Sequence, residues 1–259
     1  MTGALLRYRS FIWRRALLDL RLKYAAADLG VLWNVLHPIL LVLIYTFVFS
    51  YILKRGHPNA EIPYWLFLCS GLLPWVAFTE CVMQGANGFQ RAAPFLRRLA
   101  VPEEVFIAER ALSATIGLGV SFVVLLFVAL FAGHRPTWYW ALVPVALVLL
   151  QALGFGIGLT LGTLCVFFRD IPPALPLLLR VGMWTAPVLY PASFIPESVR
   201  PYMMAHPVTP FMNLIRGLFI EGVMPEWWVW LVCLGWVIAS VLVGSLVLRA
   251  LRDEIRDVL

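Results

Sequence analysis

The sequence predicts an all-α integral membrane protein with six transmembrane helices, an N-terminal amphipathic interface helix, short external helices and both termini in the cytoplasm. Of 259 residues, 62% are hydrophobic and 13% are charged, and the charges cluster between long apolar runs. A hydrocarbon core about 30 Å thick is crossed by roughly 20 apolar helical residues. Lys and Arg favour the cytoplasmic side, and the predicted cytoplasmic segments hold thirteen of them against five in the external segments.

Residues 1–30 are predicted to form a helix in the plane of the lipid headgroups. Helical spacing places five large apolar side chains on one face, namely Leu6, Trp13, Leu17, Leu20 and Tyr24. Arginines beside such a face contact anionic lipid or a cytoplasmic partner, and a simple positive-inside anchor is the alternative. The candidate interface residues are Arg7, Trp13, Arg14 and Arg21.

The six predicted spans are 31–53, 62–87, 105–133, 138–168, 175–192 and 226–249. The first contains no Asp, Glu, Lys or Arg, and Gly30 and Pro38 allow the interface helix to turn into the bilayer there. Glu80 lies in the second span, where an unpaired carboxylate costs about 2.5 to 3.5 kcal/mol at the helix centre. We therefore expect a structural partner for Glu80, Arg110 or Arg180, with contact to a substrate as the alternative.

Small residues recur every four positions on two spans and predict close helix packing. They are Ser113, Gly117 and Ser121 on the third span and Gly154, Gly158 and Gly162 on the fourth.

Three segments are predicted to lie in the cytoplasm after the first 30 residues: 88–104, 169–174 and 250–259. In the first of these, Phe95-Leu96-Arg97-Arg98-Leu99 precedes Pro102, and two glutamates follow, a pattern typical of a helix start. A short helix exposing Phe95 and Leu99 fits a groove on a partner protein, and a plain loop is the alternative.

The external stretch 193–225 is too long for a tight turn and contains two helix-like pieces, around 197–204 and 211–221, bounded by prolines. Moderately apolar helices at an outer interface either dip back into the membrane and close a pore or form a lid on its surface.

Aromatic residues on the first and fifth spans are candidates for lining a conduit, because flat rings offer broad and weakly directional contacts. They are Tyr45, Phe49, Tyr51, Trp184 and Tyr190. Packing against lipid or within the core is the alternative for each one.

Catalysis within this chain is not indicated. A phosphate-binding GxxxxGK[ST] loop and an HExxH metal motif are both absent from the sequence, so neither a nucleotide site, a metal site nor a catalytic residue is predicted. The net charge of +6 arises from residues that flank apolar runs, which favours a membrane surface over nucleic acid.

Four landmarks in order along the chain resemble the permease subunits of ABC-type exporters of O-antigen or teichoic-acid polysaccharides. The first is Leu20–Pro38, with its Leu-Gly-x-Leu-Trp-x-x-x-x-Pro pattern. The others are Gly71-Leu72-Leu73-Pro74-Trp75, Phe168-Arg169-Asp170-Ile171 and the stretch from Pro187 to Arg216. His206-Pro207 departs from the family's usual Asn-Pro, which affects the local turn more than the resemblance.

The resemblance implies a homodimeric, multi-pass permease of the bacterial inner membrane that moves undecaprenyl-linked O-antigen or a similar lipid-linked glycan. Two copies of a separate ATPase subunit would carry ATP and Mg²⁺, so this chain would hold no cofactor. The candidate coupling residues are Arg91, Phe95, Leu96, Arg97, Arg98, Leu99, Arg169 and Asp170. The Arg169-Asp170 pair has helix capping as its alternative role.

The resemblance also makes the stretch 193–225 an external gate. Its candidate residues are Phe194, Pro196, His206, Pro207 and Arg216. Alternatives for the whole chain are a permease for capsular polysaccharide or a small amphiphile, an integral-membrane enzyme acting on lipid-linked sugars, and a membrane scaffold.

Overall fold

A computed structural model describes residues 2–23, 28–48, 63–96, 102–131, 133–191 and 194–258. Every regular element within these ranges is helical, in agreement with the predicted fold class. The α-helices are α1 (Thr2–Arg7), α2 (Arg9–Leu22), α3 (Trp33–Thr46), α4 (Tyr64–Ala86), α5 (Gly88–Leu96), α6 (Glu103–Phe131), α7 (Val143–Phe167), α8 (Ile171–Thr185), α9 (Arg200–Met204), α10 (Thr209–Arg216) and α11 (Trp227–Val258).

Four helical stretches among the described residues are long and apolar enough to cross a membrane. They are Tyr64–Ala86, Glu103–Phe127, Trp138–Phe167 and Trp227–Arg252. They lie close to the second, third, fourth and sixth predicted spans. Helix α3 occupies part of the first predicted span, 31–53, whose residues 49–53 lie outside the described ranges.

The fifth predicted span, 175–192, differs from the helix found there. Helix α8 begins at Ile171, because Pro172 and Pro173 fit the first turn, where no intrahelical N–H bond is lost. It ends at Thr185, since Pro187 favours extended backbone at the preceding residue. Its 15 residues extend about 22 Å, which is less than the hydrocarbon thickness. Most of the predicted loop 169–174 is therefore helical.

The C-terminal helix is also longer than the predicted sixth span, 226–249. Helix α11 continues to Val258 through most of the predicted tail, 250–259, because Arg252 and Ile255 have protein partners beyond the apolar run. Ile255 is completely buried.

Helix α7 lies at the centre of the bundle and packs directly on α4, α6 and α11. Glycines on α7 permit close approach of the backbones of α4 and α11. A Cβ placed on Gly158 would be 3.2 Å from Cα of Gly85 on α4, and one placed on Gly156 would be 2.4 Å from Oγ of Ser240 on α11. The predicted packing role of the Gly154–Gly162 series is confirmed within one chain.

The connection between α8 and α11 turns back into this bundle. We call its described residues, 186–191 and 194–226, the gate segment. Helix α10 packs on α4, α7 and α11, and Phe211, Met212, Leu214 and Ile215 are fully buried. A surface lid would leave such side chains exposed, so α10 is an inserted element of the core.

Candidate functional site: an inserted segment and an ion-pair cluster

One face of α4 forms the seat of the gate segment. Tyr64, Phe67, Gly71 and Trp75 follow one another at helical spacing and are all buried. The Tyr64 hydroxyl donates a 2.6 Å hydrogen bond to the carbonyl oxygen of Leu189. Because Leu189 follows the end of α8, its carbonyl oxygen is free to accept a bond from outside the helix.

Arg216 joins three parts of this site. It is the last residue of α10 and only 6% exposed, and its Cζ lies 3.8 Å from the centre of the Phe67 ring. Nη1 donates to the carbonyl oxygen of Pro187 and Nη2 to that of Val188, both at 2.5 Å. A guanidinium has a fork of donors and a flat face, so it can bind two carbonyls and stack on an aromatic ring at once.

Gly71 is required by the close approach of this guanidinium. A Cβ at position 71 would be 2.5 Å from Nη2 of Arg216 and 2.5 Å from the carbonyl oxygen of Val188. Any side chain here would displace the hydrogen bond between them. The Gly71–Trp75 landmark of the sequence is thus the part of α4 on which the gate segment rests.

His206 occupies the next position along the same face. Its ring centre lies 6.3 Å from that of Trp75, which is 4% exposed. His206 Nδ1 accepts a 3.2 Å hydrogen bond from the backbone N–H of Val208. Burial lowers the pKa of His206, because the charged imidazolium would lose hydration. The side chain is therefore neutral at pH 7 and fits the apolar contact with Trp75.

The other predicted gate residues lie nearer the surface. Phe194 is 42% exposed, Pro196 is exposed and Pro207 is half-buried. The structure thus brings His206 and Arg216 together on α4 and leaves Phe194 and Pro196 at the edge of the gate segment.

The predicted conduit aromatics are only partly described. Trp184 is half exposed at the end of α8, and the Tyr190 hydroxyl donates to its carbonyl oxygen. Tyr45 lies on α3, whereas Phe49 and Tyr51 lie outside the described residues. Their role in lining a conduit remains a prediction.

An ion-pair cluster lies at the opposite end of α4, where α2 packs on the start of α6. Nε of Arg15 is 3.3 Å from Oε2 of Glu109, and Asp19 pairs with Arg110. The Ser113 hydroxyl donates a 2.9 Å hydrogen bond to Asp19. Glu109 is only 2% exposed, so this contact is made inside the protein.

Glu80 has a different partner from the ones predicted. Its carboxylate pairs with Lys23, the residue after α2, and accepts a 2.7 Å hydrogen bond from Nε2 of Gln84. The expected partner Arg110 binds Asp19 instead, and Arg180 is exposed on α8. The prediction of a structural partner was confirmed, but its identity was wrong because the interface helix supplies the cation.

Sequence reasoning also missed Arg15 and Asp19, although a signal for them exists. Arg15, Asp19 and Lys23 recur every four residues and therefore share one helix face, with both signs of charge. That face is directed at α4 and α6. The apolar residues Leu6, Trp13 and Leu17 are exposed, as a helix lying on lipid requires.

Helix α5 is anchored in the same end of the bundle. Phe89 and Ala92 are buried in a hydrophobic cluster with Phe106, Val166 and Leu248. At the start of α6, the fully buried carboxylate of Glu103 forms an ion pair with Arg252 on α11, with 2.5 Å between Oε2 and Nη2.

The predicted coupling residues lie on or beside α5 and at the turn between α7 and α8. Arg91, Arg169 and Asp170 are exposed, as are Arg7, Trp13, Arg14 and Arg21 on the interface helix. Phe95 and Leu96 end α5, and residues 97–99, which include Arg97, Arg98 and Leu99, lie outside the described residues. Residues 88–96 are helical, so this part of the segment is not a plain loop.

The four long apolar helices and the segment inserted among them define a multi-pass helical membrane protein. The chain belongs to the ABC-2 type transporter family, whose model matches residues 10–220.

Three relatives resemble it over most of their length. The O-antigen export system permease protein RfbA of Myxococcus xanthus is 31% identical over 86% of this chain and 85% of its own. A protein of the same name from Klebsiella pneumoniae is 25% identical over 93% of this chain and 92% of its own. The polysialic acid transport protein KpsM of Escherichia coli is 26% identical over 80% of each chain.

Proposed function

We propose that this chain is the membrane-embedded subunit of an ATP-driven exporter that moves undecaprenyl-linked O-antigen, or a similar lipid-linked glycan, across the inner membrane. The relatives named as O-antigen export permeases support this cargo, since they match nearly full length. Hydrolysis of ATP, with its Mg²⁺, takes place on a separate ATPase subunit. Two copies of each subunit form the transporter.

The arrangement in the membrane follows the predicted one. Four spans are supplied by α4, α6, α7 and α11, and we propose that α3 and α8 belong to the first and fifth, α8 by itself being shorter than the hydrocarbon core. Both termini are proposed to lie in the cytoplasm. The end of the bundle that carries α2, α5 and the last turns of α11 then faces the ATPases. The gate segment faces outward.

The observation that carries this proposal is the insertion of α10 between α4, α7 and α11, fixed by Arg216. The gate segment closes the path at rest, held both by the buried apolar side chains of α10 and by the hydrogen bonds of Arg216, and opening has to release the contacts of Arg216. Breaking hydrogen bonds that involve a charged group costs about 1.5–3 kcal/mol each, so this closure is firm but reversible.

Force from the ATPases reaches the bundle through α5 and the N-terminus of α6. Phe89 of α5 lies in one buried hydrophobic cluster with residues of α6, α7 and α11, and Arg252 donates to Glu103 at the first turn of α6. Glu109, two turns further along α6, holds Arg15 of the interface helix. A push on segment 88–104 therefore moves α6 and α2 together.

A genetic complementation experiment tests the function. Deletion of the gene should cause undecaprenyl-linked glycan to accumulate on the cytoplasmic side of the membrane, and the wild-type chain should restore export. Charge reversal of Arg97 and Arg98 should abolish export while membrane insertion stays normal, because these two cations are proposed to contact the ATPase. Arg135→Glu, at an exposed position away from that end, is the matched control. Normal export by the reversed variant would refute the coupling assignment.

Export of a capsular polysaccharide is the second candidate, and it is favoured by the similarity to KpsM over 80% of the chain. The same deletion strain separates the two, since the chemical composition of the accumulated glycan identifies the polymer. The family assignment favours either of these over an enzyme acting on lipid-linked sugars.

A further inference from the structure

We infer that each single chain holds the phosphate-bearing headgroup of its lipid-linked glycan in a polar cavity between α2, α3, α4 and α6. The first part of the lipid chain lies in an apolar groove that continues from this cavity. The inference rests on the proposed function, because export of such a glycan supplies the ligand. It assigns the loading site to the inside of one chain.

The head cavity has a volume of about 610 Å³ and lies beside the ion-pair cluster. Its charged lining comprises Asp19, Lys23, Glu80, Arg91 and Arg110. The two carboxylates pair with Lys23 and Arg110, as described above. Arg91 is exposed to the cavity, and the described part of the chain offers it no ion-pair partner. The cavity therefore keeps an excess of positive charge for a phosphate group.

Neutral polar groups in the same cavity suit a sugar. Thr79, Gln84 and Asn87 line it, and Oε1 of Gln84 is buried without a hydrogen-bond donor among the described residues. A buried acceptor without a donor costs about 1–3 kcal/mol. A sugar hydroxyl would supply the donor. A simple phosphate ion, which has much less volume than this cavity, would not reach all these groups.

The cavity narrows into a small neck and then an apolar groove. The neck, of about 50 Å³, shares Lys23, His37 and Glu80 with the head cavity. It shares Pro38, Leu73 and Ser121 with the groove. Polar and apolar spaces thus adjoin in the order that an amphiphile requires.

The groove has a volume of about 260 Å³ and is lined almost entirely by apolar atoms of α3, α4 and α6. Leu43 forms part of it and is 58% exposed, so the groove opens to the membrane there. A long prenyl chain can begin in the groove and continue in the bilayer. A single groove fits one hydrocarbon chain, such as a prenyl chain, whereas a common phospholipid has two acyl chains.

Photolabelling of the full-length chain with its partner ATPase in lipid nanodiscs tests the site. The probe is a polyprenyl diphosphate that carries one N-acetylhexosamine and a diazirine on its second isoprene unit. We expect labelled peptides from residues 38–43 and 65–73. Ser121→Leu should lower labelling at least tenfold because it fills the neck, and Ser121→Ala, which leaves it open, should stay within twofold.

A second variant tests the head cavity independently of the neck. Gln84→Met keeps the side-chain length but removes the buried acceptor and also the Nε2 donor to Glu80, which keeps its pairing with Lys23. Labelling should fall about three- to tenfold, as the loss of one hydrogen bond to the sugar predicts. The corresponding polyprenol without diphosphate should label at least tenfold less than the probe. Size-exclusion chromatography of each variant with its ATPase confirms assembly.

Three results would overturn the assignment: labelling that ignores Ser121→Leu, labelling confined to other peptides, or displacement of the probe by phosphatidylglycerol as effective as by unlabelled glycolipid. The last would make this a site for resident phospholipid. If the deletion strain accumulates glycan but the substitutions leave labelling unchanged, the site assignment is wrong and the export function stands. If the substitutions lower labelling but the deletion strain accumulates no glycan, the export function is wrong.

Discussion

The hydrogen bonds of Arg216 provide the sharpest test of the gate. Arg216→Met keeps an apolar side chain of similar length but leaves the buried carbonyls of Pro187 and Val188 without donors. Two bonds from a charged donor are worth about 3 kcal/mol at the lower end of the usual range. Since each 1.36 kcal/mol is a factor of ten, the open population should rise about 150-fold.

Arg216→Lys should produce a smaller change. An ammonium group is a single point charge without the planar fork, so we expect it to keep one carbonyl and lose the other. The open population should then rise about tenfold, from the loss of roughly 1.5 kcal/mol. The open population should therefore rise in the order Arg, Lys, Met at position 216, as hydrogen bonds to the two carbonyl oxygens are lost.

The assay uses a reporter cysteine at Val188, which is fully buried when the gate segment is seated. The four native cysteines are replaced by alanine, and reaction with a membrane-impermeant maleimide is followed in proteoliposomes. When opening is fast, the labelling rate reports the population of the open state. Arg200→Met is the matched control, because the Arg200 side chain is exposed and donates a long, 3.4 Å hydrogen bond to the carbonyl oxygen of Ile195. Equal rates for wild type and Arg216→Met would refute the reasoning.

Three further predictions concern helix packing, pH and the interface helix. Gly158→Leu should lower the free energy of unfolding by about 1–3 kcal/mol, because the new side chain would collide with Gly85. Gly235→Leu is the control and should leave the melting temperature unchanged, because position 235 has open space around it. Burial lowers the pKa of His206, so the free energy of unfolding should be highest above about pH 6.5 and should fall on acidification. The His206→Asn variant should lose less of this free energy between pH 7.5 and 5.5 than the wild type. Equal losses in the two proteins would contradict the prediction. Asp19→Ala removes an ion pair, so hydrogen exchange in residues 9–22 should quicken about tenfold and that in α7 should not; uniform change would count against a local role.

The sequence was most informative about the long apolar helices. A membrane span must be apolar over a fixed length, so composition alone places α4, α6, α7 and α11 closely. Helix α8 was misplaced because prolines near its start read as a loop, although Pro172 and Pro173 belong to the first helical turn. Glycine spacing correctly predicted that the Gly154–Gly162 face packs closely on another helix, but the partner, Gly85 on α4, is known only from the structure.

Long-range polar partners were much harder to predict. Arg216 was a candidate for the gate, but its binding to carbonyls 28 and 29 residues earlier depends on the backbone turn after α8, which the sequence pattern does not specify. Likewise, the pairing of Glu80 with Lys23 depends on how α2 lies against α4. Such contacts are set by tertiary packing, and local periodicity contains no distance between elements.

The predicted coupling residues are the part of the candidate site that the structure places least completely. Arg91 lies on α5 and is exposed, whereas Arg97, Arg98 and Leu99 lie outside the described residues. Their proposed contacts are with a second protein, so one chain by itself holds no partner surface against which to position them.

Purification of the tagged chain from mildly solubilised membranes is the most direct test of the central claim, that this chain works as the membrane half of an ATP-driven exporter. We predict that an ATPase subunit copurifies in equal amount, that the complex hydrolyses ATP, and that charge reversal of Arg97 and Arg98 reduces this recovery at least tenfold. Recovery of the chain alone in several mild detergents, with no associated ATPase activity, would contradict the account.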